Sequence, residues 1–286
     1  MSILNSYLTA YRGQSVALPT LHKKGSLIAP AFLSHLGMKV IEVAVDTDQF
    51  GSFAGEIKRE GTQLETVRRK ALLGLEVSGL PYAIASEGSI GADPEIALLT
   101  SDIETIIFID FINNLEIVES YRSFDINAHV LQYEEGMDLS AFLSKSDFPH
   151  HKLIVRSEFG YSQVIAKAIS TKEALLTALA DAKQLNIDPI FIESDLRAHC
   201  SPSRAKNIEI AAERLAAKIS SLCPECTTPG WSAIKAIYGL ACSECGQVSE
   251  NATRALLYGC VKCSYSAEGD PLADSIDPSR CNWCNP

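Results

Sequence analysis

Eight of the nine cysteines fall between positions 223 and 284 as four C-x-x-C pairs: Cys223/Cys226, Cys242/Cys245, Cys260/Cys263 and Cys281/Cys284. Two residues between thiols let a tight turn aim both sulfurs at one ion, and two such knuckles complete a tetrahedral Zn²⁺ site. Four knuckles therefore predict two structural zinc ions. Each site is filled by protein thiolates and has no position left for water, so the metals are expected to hold the fold and take no part in catalysis. The gaps between successive pairs are 15, 14 and 17 residues. Sequential pairing, first knuckle with second and third with fourth, is the expectation and would make two zinc ribbons. Interleaved pairing would make one cross-braced unit. Either way, metal should supply much of the tail's folding energy.

A nucleic-acid role for this tail is disfavoured by its charge. Residues 221–286 carry four Lys or Arg against seven Asp or Glu, and each tetrathiolate zinc adds two negative charges. Phosphate neutralisation needs the opposite sign. Trp231 and Trp283 are the chain's two tryptophans and both lie here. They fit a surface that touches a protein partner, or the ribbon core.

A second group of candidates is spread through the N-terminal part. In "LPTLHKK" (18–24), Thr20, His22 and Lys24 close a strand and open a helix. "DTDQFGSFAGE" (46–56) holds Asp48 and Glu56 in a polar, glycine-bearing loop. Lys70 lies in "ETVRRKA" (65–71), and Glu87 in "ASEGSIG" (85–91), where an apolar run breaks into small residues. Strand-to-helix turns present amides and cations to phosphates. A carboxylate at a neighbouring strand end can hold Mg²⁺. Further along, "DLRAHCSPSR" (195–204) brings Asp195, Arg197, His199 and Arg204 to the mouth of a helix. There Arg197 and Arg204 would either form a structural Asp–Arg network or clamp an anion. His150 and His151 read as a solvated turn.

The elements that must position these residues alternate between strands and helices. Strands are expected at 14–18, 39–45, 81–85, 105–112, 115–124 and 128–133, with Asn113-Asn114 as a hairpin turn. A helix over 26–37 contains Pro30, tolerable in a first turn. Thr62 and Glu65 form a capping box for a helix that places Leu64, Val67, Ala71 and Leu75 on one face and stops at Gly79. After a joint at 144–152 come a strand at 152–157, a helix at 171–185, a strand at 188–194 and a long helix at about 203–220. Ser203 caps that last helix, and Ile208, Ala212, Leu215 and Ile219 line its buried face. The fold class is α/β, in three parts: a mixed-sheet domain (1–148), a small α/β extension (149–220) and a double zinc-ribbon domain (221–286).

In the order strand–T-x-x-x-K–helix, helical E-T-x-x-x-K-A, then strand–E-G-S-x-G, residues 14–130 resemble the inosine/xanthosine triphosphate pyrophosphatase fold. That resemblance implies Mg²⁺-dependent cleavage of a nucleoside triphosphate or related phosphoanhydride. Thr20 and Lys24 would match its phosphate-gripping turn, where Leu21 or His22 stands in place of the family's Asn, and Lys70 its helix lysine, with His22, Arg197 and Arg204 added to the phosphate. Glu87, with Asp48 or Glu56, would match the metal-binding acids. Over nearly its full length the chain also resembles an uncharacterised bacterial family, a domain of unknown function. The residues carrying that likeness are "DTDQFGSFAGE", "ASEGSIG", "DLRAHCSPSR" and the closing "CNWCNP".

The bulk properties bound these readings. At 286 residues with 47% hydrophobic and 21% charged residues, this is an ordinary globular composition, large enough for two domains. No apolar run approaches 18 residues and the start lacks a basic-then-apolar leader, so a cytoplasmic location is the expectation. A net charge of −10 argues against broad nucleic-acid binding but leaves room for one small phosphorylated ligand. The two functional classes are a metal-dependent nucleotide hydrolase and a non-catalytic zinc-ribbon adaptor or nucleotide-sensing module.

Overall fold

The computed structural model describes residues 6–21, 23–52, 57–157 and 163–286. It divides into two compact units, residues 12–216 and a second formed by residues 1–11 with 217–286.

The larger unit is built on two sheets. In the first, β1 (Ser15–Pro19), β2 (Lys39–Val43), β3 (Tyr82–Ala92), β4 (Thr100–Asp110) and β5 (Leu115–Ser123) lie in the order β2-β1-β3-β4-β5. β1 runs parallel to β2 and β3, while β4 and β5 continue the sheet antiparallel. Helix α2 (Gly25–Leu36) connects β1 to β2, and α3 (Gln63–Ser78) carries the chain from β2 across β1 to β3. These connections run in opposite directions along the sheet. Right-handed crossovers then put the two helices on opposite faces. Phe32 of α2 meets Phe108 of β4, with centroids 6.2 Å apart. Val67 and Ala71 of α3 pack on Ala83, Ala85, Ile107 and Ile109 from the other side.

Local sequence accounts for much of this. The Thr62–Glu65 capping box is present in both directions, and Gly79 ends α3 in the left-handed conformation at φ 67°. Leu64 is the exception on the expected face, since it stays 40% exposed in the first turn. Pro30 sits in the second turn of α2 and not the first. The helix runs through it because burial of Ile28, Ala31, Phe32 and Leu36 outweighs the lost N–H.

The second sheet has the order β6-β9-β7-β8, with every pair antiparallel. Its strands are β6 (Val130–Tyr133), β7 (Leu153–Arg156), β8 (Val164–Ile169) and β9 (Ile190–Ser194), with α5 (Lys172–Gln184) packed against it. The segment read as a joint belongs to this core instead. Short helix α4 (Ser140–Lys145) and its flanks contribute Leu139, Phe142, Leu143 and Phe148 to the same cluster. His151 is likewise 6% exposed, where the sequence suggested a solvated turn.

Helix α6 (Pro202–Ser220) buries Ile208, Ala212, Leu215 and Ile219 completely, as its 3.6-residue period requires. It starts at Pro202, so Ser203 stands inside its first turn.

The smaller unit contains α1 (Ser6–Tyr11) and a three-stranded antiparallel sheet. The strands are β10 (Ser232–Ala241), β11 (Val248–Gly259) and β12 (Ser266–Glu268), in that order across the sheet. Among the described residues no helix is long and apolar enough to cross a membrane.

Candidate functional site: two tetrathiolate centres and a buried ionic crevice

The cysteines form two quartets, Cys223/Cys226/Cys260/Cys263 and Cys242/Cys245/Cys281/Cys284, with the sulfurs of each within 4.8 Å of one another. Closest approaches are 3.8 Å (Cys223–Cys263) and 3.6 Å (Cys226–Cys260) in the first, and 3.8 Å (Cys242–Cys284) and 3.7 Å (Cys245–Cys281) in the second. Zn–S bonds of about 2.3 Å at tetrahedral angles put sulfurs about 3.8 Å apart. The four-thiolate sets therefore fit two zinc ions.

The pairing is interleaved, which corrects the sequential expectation. The cause is the β10–β11 hairpin. Ser232 pairs with Gly259 at one end and Ala241 with Val248 at the other. The first and third knuckles thus flank one end of the hairpin, and the second and fourth belong to the other. Nine residue steps of strand, about 30 Å, separate the ends. Sequential pairing would have to span that length. After β12 the chain instead returns alongside β11, with Gly269 N donating to Leu256 O and Leu272 N to Arg254 O. It reaches the second centre through an Ile276–Cys242 bridge.

Donors in the knuckles point at some of the sulfurs and favour the thiolate in one cysteine of each quartet. Lys262 N and Cys263 N donate to Cys260 Sγ at 3.3 and 3.4 Å. The Thr228 hydroxyl, 3.3 Å from Cys226 Sγ, helps draw that thiol down to about 6. The Cys284 and Trp283 amides draw Cys281 down to about 7. Trp231 stacks between Tyr258 and Tyr265, at 6.1 and 5.5 Å, and so belongs to the ribbon core. Trp283 is 72% exposed.

The N-terminal candidates converge only in part. β1 ends at Pro19 while β3 continues to Ala92, and Lys24, just past β1, reaches Ser86 in the middle of β3. This is the point where strand order reverses, the usual crevice of open α/β sheets. "ASEGSIG" does not break into a turn here. Every residue from Tyr82 to Ala92 pairs with β4, and Glu87 is an interior strand residue opposite Thr105. An isolated buried carboxylate would disrupt such a strand. Glu87 is instead neutralised from two sides: Lys70 Nζ lies 2.6 Å from Oε2, and Arg59 Nη1 3.2 Å from Oε1. Arg59 also donates to Gly88 O at 3.1 Å. Gly51, at φ 126°, leaves room for the Arg59 backbone, which a Cβ would meet at 2.8 Å.

On the opposite face of β3 and β4 lies a second buried network. Strand alternation puts Ser86, Asp102 and Glu104 on this side. Arg204 Nε donates to Glu104 Oε1 at 2.6 Å and its Nη1 to Leu196 O at 2.6 Å. Asn207 Nδ2 donates to Asp102 Oδ2 at 2.9 Å. Burial, reinforced by Glu104, pushes Asp102 up to about 7. Lys24 completes this face. Its ammonium is buried and donates to Ser86 Oγ at 2.9 Å, with no carboxylate in contact among the described residues. Burial, with the Arg204 charge next in weight, pulls it down from 10.5 to about 8.

Other candidates lie elsewhere. Asp48 occupies a single 3₁₀ turn, Asp48–Phe50, and its amide donates to Asp46 Oδ1. Arg197 is engaged by Asp195, Nε to Oδ1 at 2.9 Å, which makes that pair structural. Cys200 is buried, and burial foremost pushes its thiol up to about 11, making it inert. His22 and Glu56 lie outside the described residues. Among the described residues, the two cysteine quartets are the groups of three or more side chains able to hold a metal. Sequence reading missed Arg59, Ser86, Asp102, Glu104 and Asn207. The i, i+2 spacing of Asp102 and Glu104 just ahead of the apolar run at 106–109 was the available signal.

Fold and site together define a mixed α/β protein with a tail of two tetrathiolate centres. The chain belongs to the family described as Domain of unknown function (DUF6671), whose profile matches residues 70–286. That match takes in Lys70, Glu87, Arg204 and all eight clustered cysteines. No curated protein matches the chain.

Proposed function

We propose that the larger unit binds a small phosphorylated ligand, such as a nucleotide, in the crevice past β1, and that the zinc tail serves as a structural module offering Trp283 to a protein partner. The observation that carries the ligand reading is Lys24. A buried ammonium whose contacts are a neutral hydroxyl and a carbonyl is costly to hold. An anion that enters the crevice would pair with that charge and lower the cost. Lys70 and Arg59 stand pre-oriented on Glu87, from which an incoming phosphate could draw them.

Metal-dependent hydrolysis of a nucleoside triphosphate is the second reading. It is favoured by the gathering of Thr20, Lys24, Lys70 and Glu87 near one crevice, the order that the pyrophosphatase-like resemblance implies. Both Glu87 oxygens already face cations, however, and Mg²⁺ would have to displace them. Binding without turnover is the better-supported conclusion.

The test is calorimetry of the full chain with pyrophosphate and with nucleoside triphosphates, in Mg²⁺ and in its absence, beside a phosphate-release assay. Binding that Lys24→Met weakens tenfold or more, without turnover, is the expected result. Turnover that Glu87→Gln abolishes would favour the hydrolase. Equal heats from wild type and Lys24→Met would overturn the crevice assignment.

A further inference from the structure

The proposed function makes no use of Asp147, His151 and Ser203. His151 Nδ1 lies 3.0 Å from Asp147 Oδ2, and its Nε2 lies 3.0 Å from Ser203 Oγ. We infer that these three residues form an acid–base–nucleophile triad that cleaves small carboxylic esters through an acyl-Ser203 intermediate. A triad is recognised by geometry and roles, and both contacts fall within hydrogen-bond reach.

Backbone donors assign the roles. The amide of Ser203 points at His151 Nε2 at 3.2 Å. An amide can only donate, so Nε2 is the acceptor and the ring proton sits on Nδ1, facing the Asp147 carboxylate. That is the tautomer a general base requires. The amide of Asn127 donates to Ser203 Oγ at 3.1 Å, which occupies a lone pair and leaves the hydroxyl proton to turn toward Nε2, where it must displace the Ser203 amide from the single lone pair of that nitrogen. His151 is 6% exposed and locked by these contacts, whereas Ser203 is half-buried and open to approach. Ser203 stands in the first turn of the 19-residue helix α6, at its positive pole.

A place for the substrate is close by. A pocket of ≈ 380 Å³ opens at the start of α6, with Leu27, Ala198 and Pro202 among its walls. Ser201 also lines it, and its Oγ lies 3.5 Å from that of Ser203. The pocket's apolar side suits a short acyl chain, while Lys23, His150 and His199 line it elsewhere. In the reaction, Ser203 Oγ attacks the ester carbonyl carbon as its proton passes to His151 Nε2. The bond to the alcohol oxygen breaks, and that oxygen receives the proton. Water, giving a proton to the same nitrogen, then hydrolyses the acyl-serine to a carboxylic acid and restores Ser203. Asp147 acts through His151 and is a positioning residue.

The same contacts would also cap α6, and labelling separates the two roles. The zinc-loaded full chain is treated with a fluorophosphonate probe and digested, and the adduct is located by mass spectrometry, with p-nitrophenyl acetate hydrolysis followed in parallel. The expected outcome is one adduct, on Ser203, absent in Ser203→Ala. His151→Gln keeps an acceptor for the Ser203 amide but supplies no base, so it should fold normally and label about 100-fold more slowly. Asp147→Asn should slow labelling and alter its pH profile, with Asp147→Glu restoring part of the rate. No adduct on Ser203 of the folded wild type, or labelling of His151→Gln at the wild-type rate, would overturn the triad and leave a helix cap alone.

Discussion

The two units of this chain are held together by different physics. Residues 12–216 bury extensive apolar clusters on two sheets, and against one of those sheets they set a network of buried charges. The tail has little core: Leu240 and Ile276 pack with Cys242 and Cys281, beside a stacked Trp231. One unit therefore folds by removing surface from water and the other chiefly by ligating metal. Charges can be buried in the first because its apolar core supplies the stability that they cost. The second could not support such a network.

The largest expected effect follows from the tail. Chelation under reducing conditions should unfold it, since each structural zinc contributes on the order of 10 kcal/mol, while the larger unit keeps its own melting transition. Metal analysis should give two zinc per chain. The double variant Cys226→Ser/Cys260→Ser sharpens the point, because both residues belong to one quartet. It should lose one zinc and keep the other. A chain without either ion would restore sequential pairing.

Breaking the buried ionic network comes next. Glu87→Gln leaves Lys70 and Arg59 beside a neutral amide, and losing one partner of a buried pair costs about 3–5 kcal/mol. Urea unfolding of the larger unit measures it. A change under about 1 kcal/mol would mean that solvent reaches the pair. Phe108→Ala, in the same sheet but purely apolar, should cost about 3–5 kcal/mol as well.

The pH response is smaller and has a defined sign. Lys24 has its folded pKa lowered to about 8 from 10.5. Between those values the unfolded chain binds more protons, so stability rises with pH across the window, and the cost is fully present below pH 8. The shift corresponds to about 3 kcal/mol. Lys24→Met should raise stability at pH 7 and flatten the alkaline limb of urea midpoint against pH. Asp102 and Glu193, each raised to about 7 mainly by burial, act in the other window. Their contribution is present below about pH 4 and is lost as pH rises toward 7. Smallest of all, Thr62→Ala removes the α3 cap and should cost about 1 kcal/mol.

Legibility followed the range of the interaction. The α3 cap, its Gly79 stop, the buried stripe of α6 and the Asn113-Asn114 turn depend on neighbours within a few residues, and each was readable. Strand β8 and helix α4 were missed because their patterns are short and weakly periodic. Glu87 was recognised as unusual and misplaced as a turn, since the cations that make it tolerable come from 17 and 28 residues away. The His151–Ser203 contact was invisible for the same reason, the two lying 52 positions apart.

The sequence by itself determined that there are eight metal-binding thiolates in four knuckles, because C-x-x-C geometry is local and needs no partner to be recognised. It also determined the alternating α/β architecture and the capped helices. Which knuckles share an ion was decided by the β10–β11 hairpin, whose antiparallel register sends neighbouring knuckles to opposite ends. Which charges meet was likewise decided by tertiary structure. Strand alternation divided Glu87 and Ser86 between two faces of one sheet, and helices from distant parts of the chain brought each its counterpart.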